Sequence, residues 1–159
     1  MKDFDEEYFA ISPELLKINE RQIAILDQEN TDGEGWEYYC NGEVVRATIL
    51  RNKITGTVRE LLEVFDVEIK ADQNEITTLC SCGTKDGVCK HTVAFLYSWV
   101  NDREDFLNIG SAIERLYKME KGELIDIIER VLQNNPTNVR FFFNKDFDED
   151  ELDIEGLIE

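Results

Sequence analysis

Residues 80–91, CSCGTKDGVCKH, hold three of the four cysteines of this chain and its only histidine. Cys80, Cys82, Cys89 and His91 form the pattern C-x-C-x6-C-x-H. Zinc favours four nitrogen or sulfur ligands in a tetrahedral arrangement. So dense a cluster of thiol and imidazole side chains therefore predicts one structural Zn²⁺ ion bound by these four residues.

The spacing also predicts how the chain folds around the metal. Alternate residues of a strand point to the same side, so Cys80 and Cys82 can present two sulfurs together. Two glycines allow the chain to turn back. Because positions i and i+2 do not share a helix face, Cys89 should precede a helix and His91 should lie in its first turn. The metal would then join a strand end to a helix start.

Other interpretations of the cluster are possible. The three cysteines could be small core residues, or two of them could form a disulfide, which is rare inside cells. A catalytic zinc keeps one position open for water, and a Cys–His pair could act as a nucleophile. Four ligands fill a tetrahedral shell, so we expect no catalytic residue and no enzyme activity. Cys40 stands alone beside two tyrosines and is interpreted as core.

Residues 36–80 are typical of about five short antiparallel strands. Asn41-Gly42, between "WEYYC" and "EVVRATIL", is a hairpin signal because both residues tolerate positive φ. "VFDVEIK", residues 64–70, alternates apolar and charged side chains, which predicts a strand with one buried face. We therefore place a sheet plus the zinc module in residues 36–101.

The flanks of the sheet are helical in pattern. Residues 1–35 form an acidic segment with one helix predicted, and "HTVAFLYSWV" after Cys89 is apolar enough to lie buried against the sheet. Residues 102–145 predict C-terminal helices. Residues 146–159 hold eight acids and no base, which favours a disordered tail or a docking peptide. The predicted fold class is α+β, a small antiparallel sheet leading into a zinc-stapled strand–helix module and a C-terminal helical segment.

The charge limits the classes of partner. The formal net charge is −18, yet residues 44–92 carry seven acids and seven bases, so the excess lies in the flanks. Non-specific affinity for nucleic acid comes mostly from Lys and Arg, so strong DNA binding is not expected. No apolar run is as long as a membrane span, and the start has no secretory pattern. We expect a cytoplasmic protein, or a nuclear one in a eukaryote, that is not secreted.

The ligand pattern resembles that of the SWIM-type zinc finger, in a small stand-alone, prokaryotic-like member. The resemblance rests on "VRELLEVFDVEIK" before the cysteines and "CKHTVAFLYSW" at their end, and it extends over roughly residues 36–136. It implies a strand–strand–helix zinc module with Cys80, Cys82, Cys89 and His91 as ligands. We see no helicase, transposase or kinase pattern, so any activity that the finger serves would belong to another polypeptide.

The resemblance implies either protein interaction or DNA binding. We expect an accessory protein in a nucleic-acid-related assembly such as recombination, repair, remodelling or transcription, with a protein partner and no small-molecule substrate. The runner-up is direct nucleic-acid binding, and a further alternative is an acidic DNA mimic that regulates a nucleic-acid enzyme. Direct binding would use four basic residues: Arg51, Lys53, Lys85 and Lys90. Partner docking could use four apolar residues of the tail: Leu152, Ile154, Leu157 and Ile158.

Overall fold

The computed structural model describes residues 10–142 of the chain. These residues belong to two compact units, which divide between Tyr117 and Lys118. The first unit contains a five-stranded sheet, five α-helices and a 3-10 turn at Arg103–Asp105, and the second contains one α-helix followed by a 3-10 turn. The prediction of an α+β fold is confirmed.

The first unit begins with three helices and ends with a fourth and a fifth that flank a short strand. Its helices are α1 Pro13–Leu16, α2 Glu20–Thr31, α3 Glu34–Cys40, α4 Lys90–Asn101 and α5 Ile109–Tyr117. Its strands are β1 Val44–Leu50, β2 Lys53–Glu60, β3 Glu63–Asp72, β4 Glu75–Cys80 and β5 Leu107–Asn108. The second unit holds α6 Lys121–Asn134 and the 3-10 turn Pro136–Phe142.

The sheet has the order β4-β3-β2-β1-β5. Strands β1 to β4 form an antiparallel meander, as expected for chain segments joined by two-residue turns. The fifth strand differs from the prediction, because β5 follows α4 in the chain and pairs with β1 in parallel. The sheet is therefore mixed, and β4, which carries Cys80, lies at its edge.

Residues 36–40, predicted as the first strand, form most of α3 instead. The carboxylate of Asp27 accepts hydrogen bonds from the backbone N–H groups of Gly35, at 3.0 Å, and Trp36, at 3.1 Å. These contacts satisfy donors at the first turn of a helix, which have no intrahelical partner. The aromatic composition that favours a strand is overridden by a cap from a distant residue.

The glycine predicted to turn a hairpin ends a helix. Gly42 has φ +70° and its N–H donates to the carbonyl of Tyr39 at 3.1 Å. The N–H of Glu43 donates to the carbonyl of Tyr38 at 3.2 Å, which completes the pair of bonds that closes a Schellman motif. The prediction that Cys40 belongs to the core is also wrong, since it lies exposed at this helix end.

Helix α4 forms the centre of the core, as its apolar sequence predicts. Its residues from 91 to 99 are all buried. Phe95 packs so closely on β2 that a Cβ at Gly56 would lie 2.4 Å from its ring. The indole N–H of Trp99 donates to the carbonyl of Leu15 at 2.8 Å, which ties α4 to the N-terminal helices. Helix α4, which contains His91, is thus the element on which the sheet and α1 pack.

The predicted N-terminal helix is two helices, because Asn19 caps α2 with a reciprocal hydrogen-bond pair to Gln22. Helix α3 runs across the position between residues 35 and 36 where we placed a domain boundary.

Among the described residues, no helix has the length and apolar character needed to span a membrane. The predicted acidic tail, residues 146–159, lies outside the described residues.

Candidate metal centre

The first two cysteines are presented by the end of β4. Cys80 is the last residue of the strand, and Ser81 continues its pairing through an N–H bond to the carbonyl of Asp66 at 3.0 Å. The N–H of Gly83 then donates to the carbonyl of Cys80 at 3.2 Å, so Cys82 lies in a tight turn. The pair is held by the sheet on one side and by this turn on the other.

The loop between the two cysteine pairs is anchored to α2. Gly87 has φ +75°, and a Cβ there would lie 2.5 Å from the Oδ1 atom of Asn30. The same oxygen accepts a hydrogen bond from the N–H of Val88 at 3.4 Å. A side chain at position 87 would therefore be strained in its backbone and would displace Asn30.

The last two ligands lie at the start of α4. Cys89 is the N-cap residue, and its sulfur accepts a hydrogen bond from the N–H of Thr92 at 3.4 Å. His91 lies in the first turn and is only 4% exposed. This arrangement, with Cys89 before the helix and His91 inside it, is the one that the spacing predicts.

The four ligand atoms converge. The sulfurs of Cys80, Cys82 and Cys89 and a ring nitrogen of His91 all lie within 4.8 Å of one another. The Cys80 sulfur lies 3.8 Å from the Nδ1 atom of His91. A tetrahedral zinc with typical bond lengths separates a sulfur and a nitrogen ligand by about 3.5 Å. The donor set and its spacing thus fit one metal ion after a small contraction.

His91 is oriented by a residue that sequence reasoning missed. Its Nε2 atom lies 2.7 Å from Glu60 Oε2 at the end of β2, so Nδ1 faces the three sulfurs. A carboxylate on the second ring nitrogen fixes the orientation of a ligating histidine and increases its basicity. The ring of Phe65 stacks on the imidazole with 4.3 Å between centroids. These contacts hold the histidine in position to bind a metal.

Glu60 is itself held by two donors. Its Oε1 atom accepts hydrogen bonds from the hydroxyl of Tyr38 and the ammonium of Lys90, both at 2.8 Å. Glu60 lies opposite Glu63 in the register of β2 and β3, a like-charge pair at a hairpin end. Two acids at one hairpin end favour a nearby cation, and this is the one signal for Glu60 in the sequence. The signal does not identify His91 as its partner.

Hydrogen bonding sets the charges in the cluster before a metal binds. The bond from the Cys80 thiol holds the pKa of Cys89 at about 3, and the same interaction raises the pKa of Cys80. Burial of the His91 ring opposes its protonation. The contacts with Cys89 and Glu60 outweigh burial and raise the pKa of His91 to about 9. Bonds from Lys90, His91 and Tyr38 lower the pKa of Glu60 to about 2.

Metal affinity should depend steeply on pH. His91 and Cys80 both hold their protons at neutral pH, and both must lose them to bind a metal. Lowering the pH increases this competition, so affinity for Zn²⁺ should fall between pH 8 and pH 6 by about tenfold per pH unit for each proton released, or about 100-fold for the two protons of His91 and Cys80. Titration against a chromophoric chelator at three pH values measures the slope. Calorimetry in two buffers counts the protons, and an affinity independent of pH would contradict the arrangement.

Two of the basic residues proposed for nucleic-acid contact are held in ion pairs. Lys90 lies 2.8 Å from Glu60 and 3.5 Å from Glu34. Lys53 lies 3.6 Å from Glu68 on the neighbouring strand. Each would have to exchange a carboxylate for a phosphate to bind nucleic acid.

The other two basic residues lie apart in the fold. Arg51 is in the turn between β1 and β2 and has φ +55°. Lys85 is exposed in the loop between the ligand pairs. The apolar tail residues proposed for docking, 152 to 158, lie outside the described residues.

Comparison of the chain with protein-family models, with curated proteins and with solved structures gave no match. The assignment of a metal centre therefore rests on the geometry of its own residues. Among residues 10–142, this is the one cluster of three or more His, Cys, Asp or Glu side chains whose ligand atoms are close enough to share an ion.

Proposed function

We propose that this chain is a SWIM-type zinc-binding protein that acts, without enzyme activity, as a protein-interaction module in an assembly that works on nucleic acid. The three thiols and one imidazole suit Zn²⁺, and four such ligands leave no position for a reacting water. His91 and its partner Glu60 are built as a rigid support, since Glu60 is already bonded to Tyr38 and Lys90. In this proposal, the metal stabilises the surface that binds a partner protein.

An apolar hairpin tip next to the metal centre carries the proposal of protein interaction. This tip consists of Leu61, Leu62 and Val64, and it directly follows Glu60. Leu61 and Leu62 are fully exposed, and Val64 is 60% exposed. Leu61 also has φ +55°, a conformation that favours glycine in such turns. Leucines that are fully exposed in a strained turn do not stabilise the free protein. They are therefore suited to contact with an apolar pocket of a partner.

The charge around the centre supports a protein partner over nucleic acid. The chain has a net charge of −18, and nucleic-acid affinity is mostly electrostatic. Lys53 and Lys90 already neutralise carboxylates. Glu63, the exposed acid within the hairpin tip, would repel phosphate and attract a basic rim on a partner.

The partner class can be tested with DNA. Duplex DNA should bind the purified protein at physiological salt with a Kd of about 10 μM or weaker, because the net charge is −18 and non-specific affinity for nucleic acid is mostly electrostatic. Fluorescence anisotropy with a labelled duplex measures this. Cross-linking in native cells should capture a companion protein that co-purifies with this chain. The companion should be lost with the Leu61→Asp, Leu62→Asp double variant.

The matched control for the double variant is Leu107→Asp, because Leu107 is 70% exposed but lies on β5 at the far edge of the sheet. It should leave the companion bound. Tight DNA binding that weakens when the four basic residues are made neutral would defeat the proposal. Such a result would favour direct recognition of nucleic acid through Arg51, Lys53, Lys85 and Lys90.

A further inference from the structure

Strand β1 contains a bulge that redirects one side chain. Its pairing with β2 shifts between Val45 and Thr48, so that Arg46 and Ala47 together lie opposite Gly56. Ala47 packs against the core, whereas Arg46 is exposed. The extra residue thus lets Ala47 face α4 and turns Arg46 to the opposite face of the sheet, which we call the outer face.

Arg46 adopts a backbone conformation that favours glycine. Its φ is +55°, and the residue with positive φ in such a bulge is usually glycine. The other described non-glycine residues with positive φ lie in turns or at a helix end, outside the strands. Within the part of the chain that the structure describes, the guanidinium of Arg46 makes no ion pair and no hydrogen bond. A strained residue with an unused cation points to a role in binding.

Arg46 borders a pocket of about 400 Å³ on the outer face of the sheet. Thr55 and Thr57 of β2 also line it. Between them, Gly56 faces the ring of Phe95 on α4, and neighbouring side chains of a strand point to opposite faces. The pocket therefore lies on the side of the sheet away from the core.

Asp66, on β3, is the acidic counterpart of Arg46 in this pocket. Its carboxylate accepts a hydrogen bond from the hydroxyl of Thr57 at 3.3 Å, and Thr57 is only 7% exposed. Its backbone N–H donates to the Oγ atom of Ser81 at 2.9 Å. No cation among residues 10–142 forms an ion pair with it. The carboxylate is thus oriented by a buried hydroxyl and keeps acceptor sites for a ligand.

The other charges around the pocket do not change this balance. Glu68 lines the pocket and lies 3.6 Å from Lys53. Arg59 and Lys70 are the next charged residues on the outer face of their strands, and neither lines the pocket. Two carboxylates in the lining would repel a phosphate, and the guanidinium would repel a simple cation. A molecule that carries both charges can pair with both walls.

The spacing of the walls suits a small molecule. Strands β1 and β3 are both neighbours of β2, so the backbones that carry Arg46 and Asp66 lie about 10 Å apart. The hydroxyls of Thr48 and Thr55 lie 2.6 Å apart, and when Thr48 donates, the hydrogen of Thr55 remains for an anionic group. Leu79, which is 68% exposed, adds an apolar surface on β4.

We propose that this pocket binds a small aliphatic α-amino acid. The carboxylate of the ligand pairs with Arg46 and the Thr55 hydroxyl, its ammonium pairs with Asp66, and its side chain contacts Leu79. This inference goes beyond the proposed function and is independent of it, because the hairpin tip does not line the pocket.

Titration of the full-length, zinc-loaded protein with L-leucine, followed by amide NMR shifts, tests the proposal. We expect a Kd on the order of 1 mM, with the largest shifts at Thr57, Asp66 and Ser81. Two analogues each lack one charge: 4-methylpentanoate has no ammonium, and 3-methylbutylamine has no carboxylate. Each should bind at least about tenfold more weakly than leucine, because each leaves one wall of the pocket unpaired.

Two variants connect the binding to this pocket. Arg46→Gly removes the guanidinium and suits the positive φ, so leucine binding should be lost without a lower melting temperature. Asp66→Asn keeps an acceptor for the Thr57 hydroxyl but removes the charge, and it should weaken binding at least about tenfold. Lys70→Gln is the matched control, since Lys70 lies on the same face outside the pocket, and it should leave binding unchanged.

Equal binding of leucine and both analogues would overturn the proposal, because the two charges would then not recognise the ligand. Unchanged leucine binding in Arg46→Gly would also overturn it, and the bulge would then serve only to direct Ala47 to the core. If leucine does not bind while the companion protein still depends on the hairpin tip, this inference falls and the proposed function stands.

Discussion

Removal of the metal should lower the melting temperature of the purified protein by more than about 10 °C. The ligands join the end of β4 to the start of α4, and α4 is the buried helix on which the sheet packs. Because the folded chain fixes the positions of the four ligands and Glu60 orients His91 there, the metal binds the folded state more tightly than the unfolded chain and so adds to the free energy of folding. Loss of the metal removes that contribution.

The measurement is differential scanning calorimetry of the protein with excess zinc, with chelator, and with chelator followed by excess zinc. Elemental analysis should give one zinc per chain before chelation. Cys82→Ser should behave like the chelated protein, whereas Cys40→Ser should behave like wild type, because Cys40 lies exposed at the end of α3. An unchanged melting curve after complete loss of metal would contradict a structural role.

Asp27→Ala should destabilise the protein by about 3 to 5 kcal/mol, or roughly 10 °C in melting temperature. Asp27 is 2% exposed and accepts hydrogen bonds from the N–H groups of Gly35 and Trp36. It also accepts one from the Tyr97 hydroxyl at 3.1 Å, on α4. Alanine would leave the Trp36 N–H and the Tyr97 hydroxyl without this acceptor, whereas the Gly35 N–H keeps a bond to the Thr31 hydroxyl at 3.3 Å. Each unpaired donor costs about 1 to 3 kcal/mol.

Urea unfolding followed by circular dichroism measures this loss. Glu29→Ala is the matched control, since Glu29 is an exposed acid on the same helix and its removal should cost less than about 0.5 kcal/mol. Asp27→Asn should fall between the two, because an amide retains one acceptor oxygen. A loss below 1 kcal/mol for Asp27→Ala would mean that α3 does not depend on this cap.

The convergence of the four candidate ligands could be predicted from sequence because it is local. All four ligands lie within residues 80–91, where strand and helix geometry determine which side chains converge. Helix α4 could be predicted for a similar reason, since its apolar run is continuous. Glu60 could not be predicted, because its contact with His91 joins residues 31 positions apart and depends on the register of β2.

The error at residues 36–40 has a related cause. Trp36, Tyr38 and Tyr39 favour a strand locally, and the helix forms because Asp27 caps it from another element. The fifth strand, Leu107–Asn108, consists of only two residues and has no periodic pattern. Both features depend on tertiary contacts, which a local pattern does not contain.

The short separation between the metal ligands also bears on how the chain reaches its fold. A loop of about ten residues closes in roughly 10 to 100 ns, far faster than distant strands can find their register. We expect zinc to bind the 80–91 segment early and to hold the first turn of α4 before the meander is complete. The ion would then act as a folding nucleus as well as a structural link between β4 and α4.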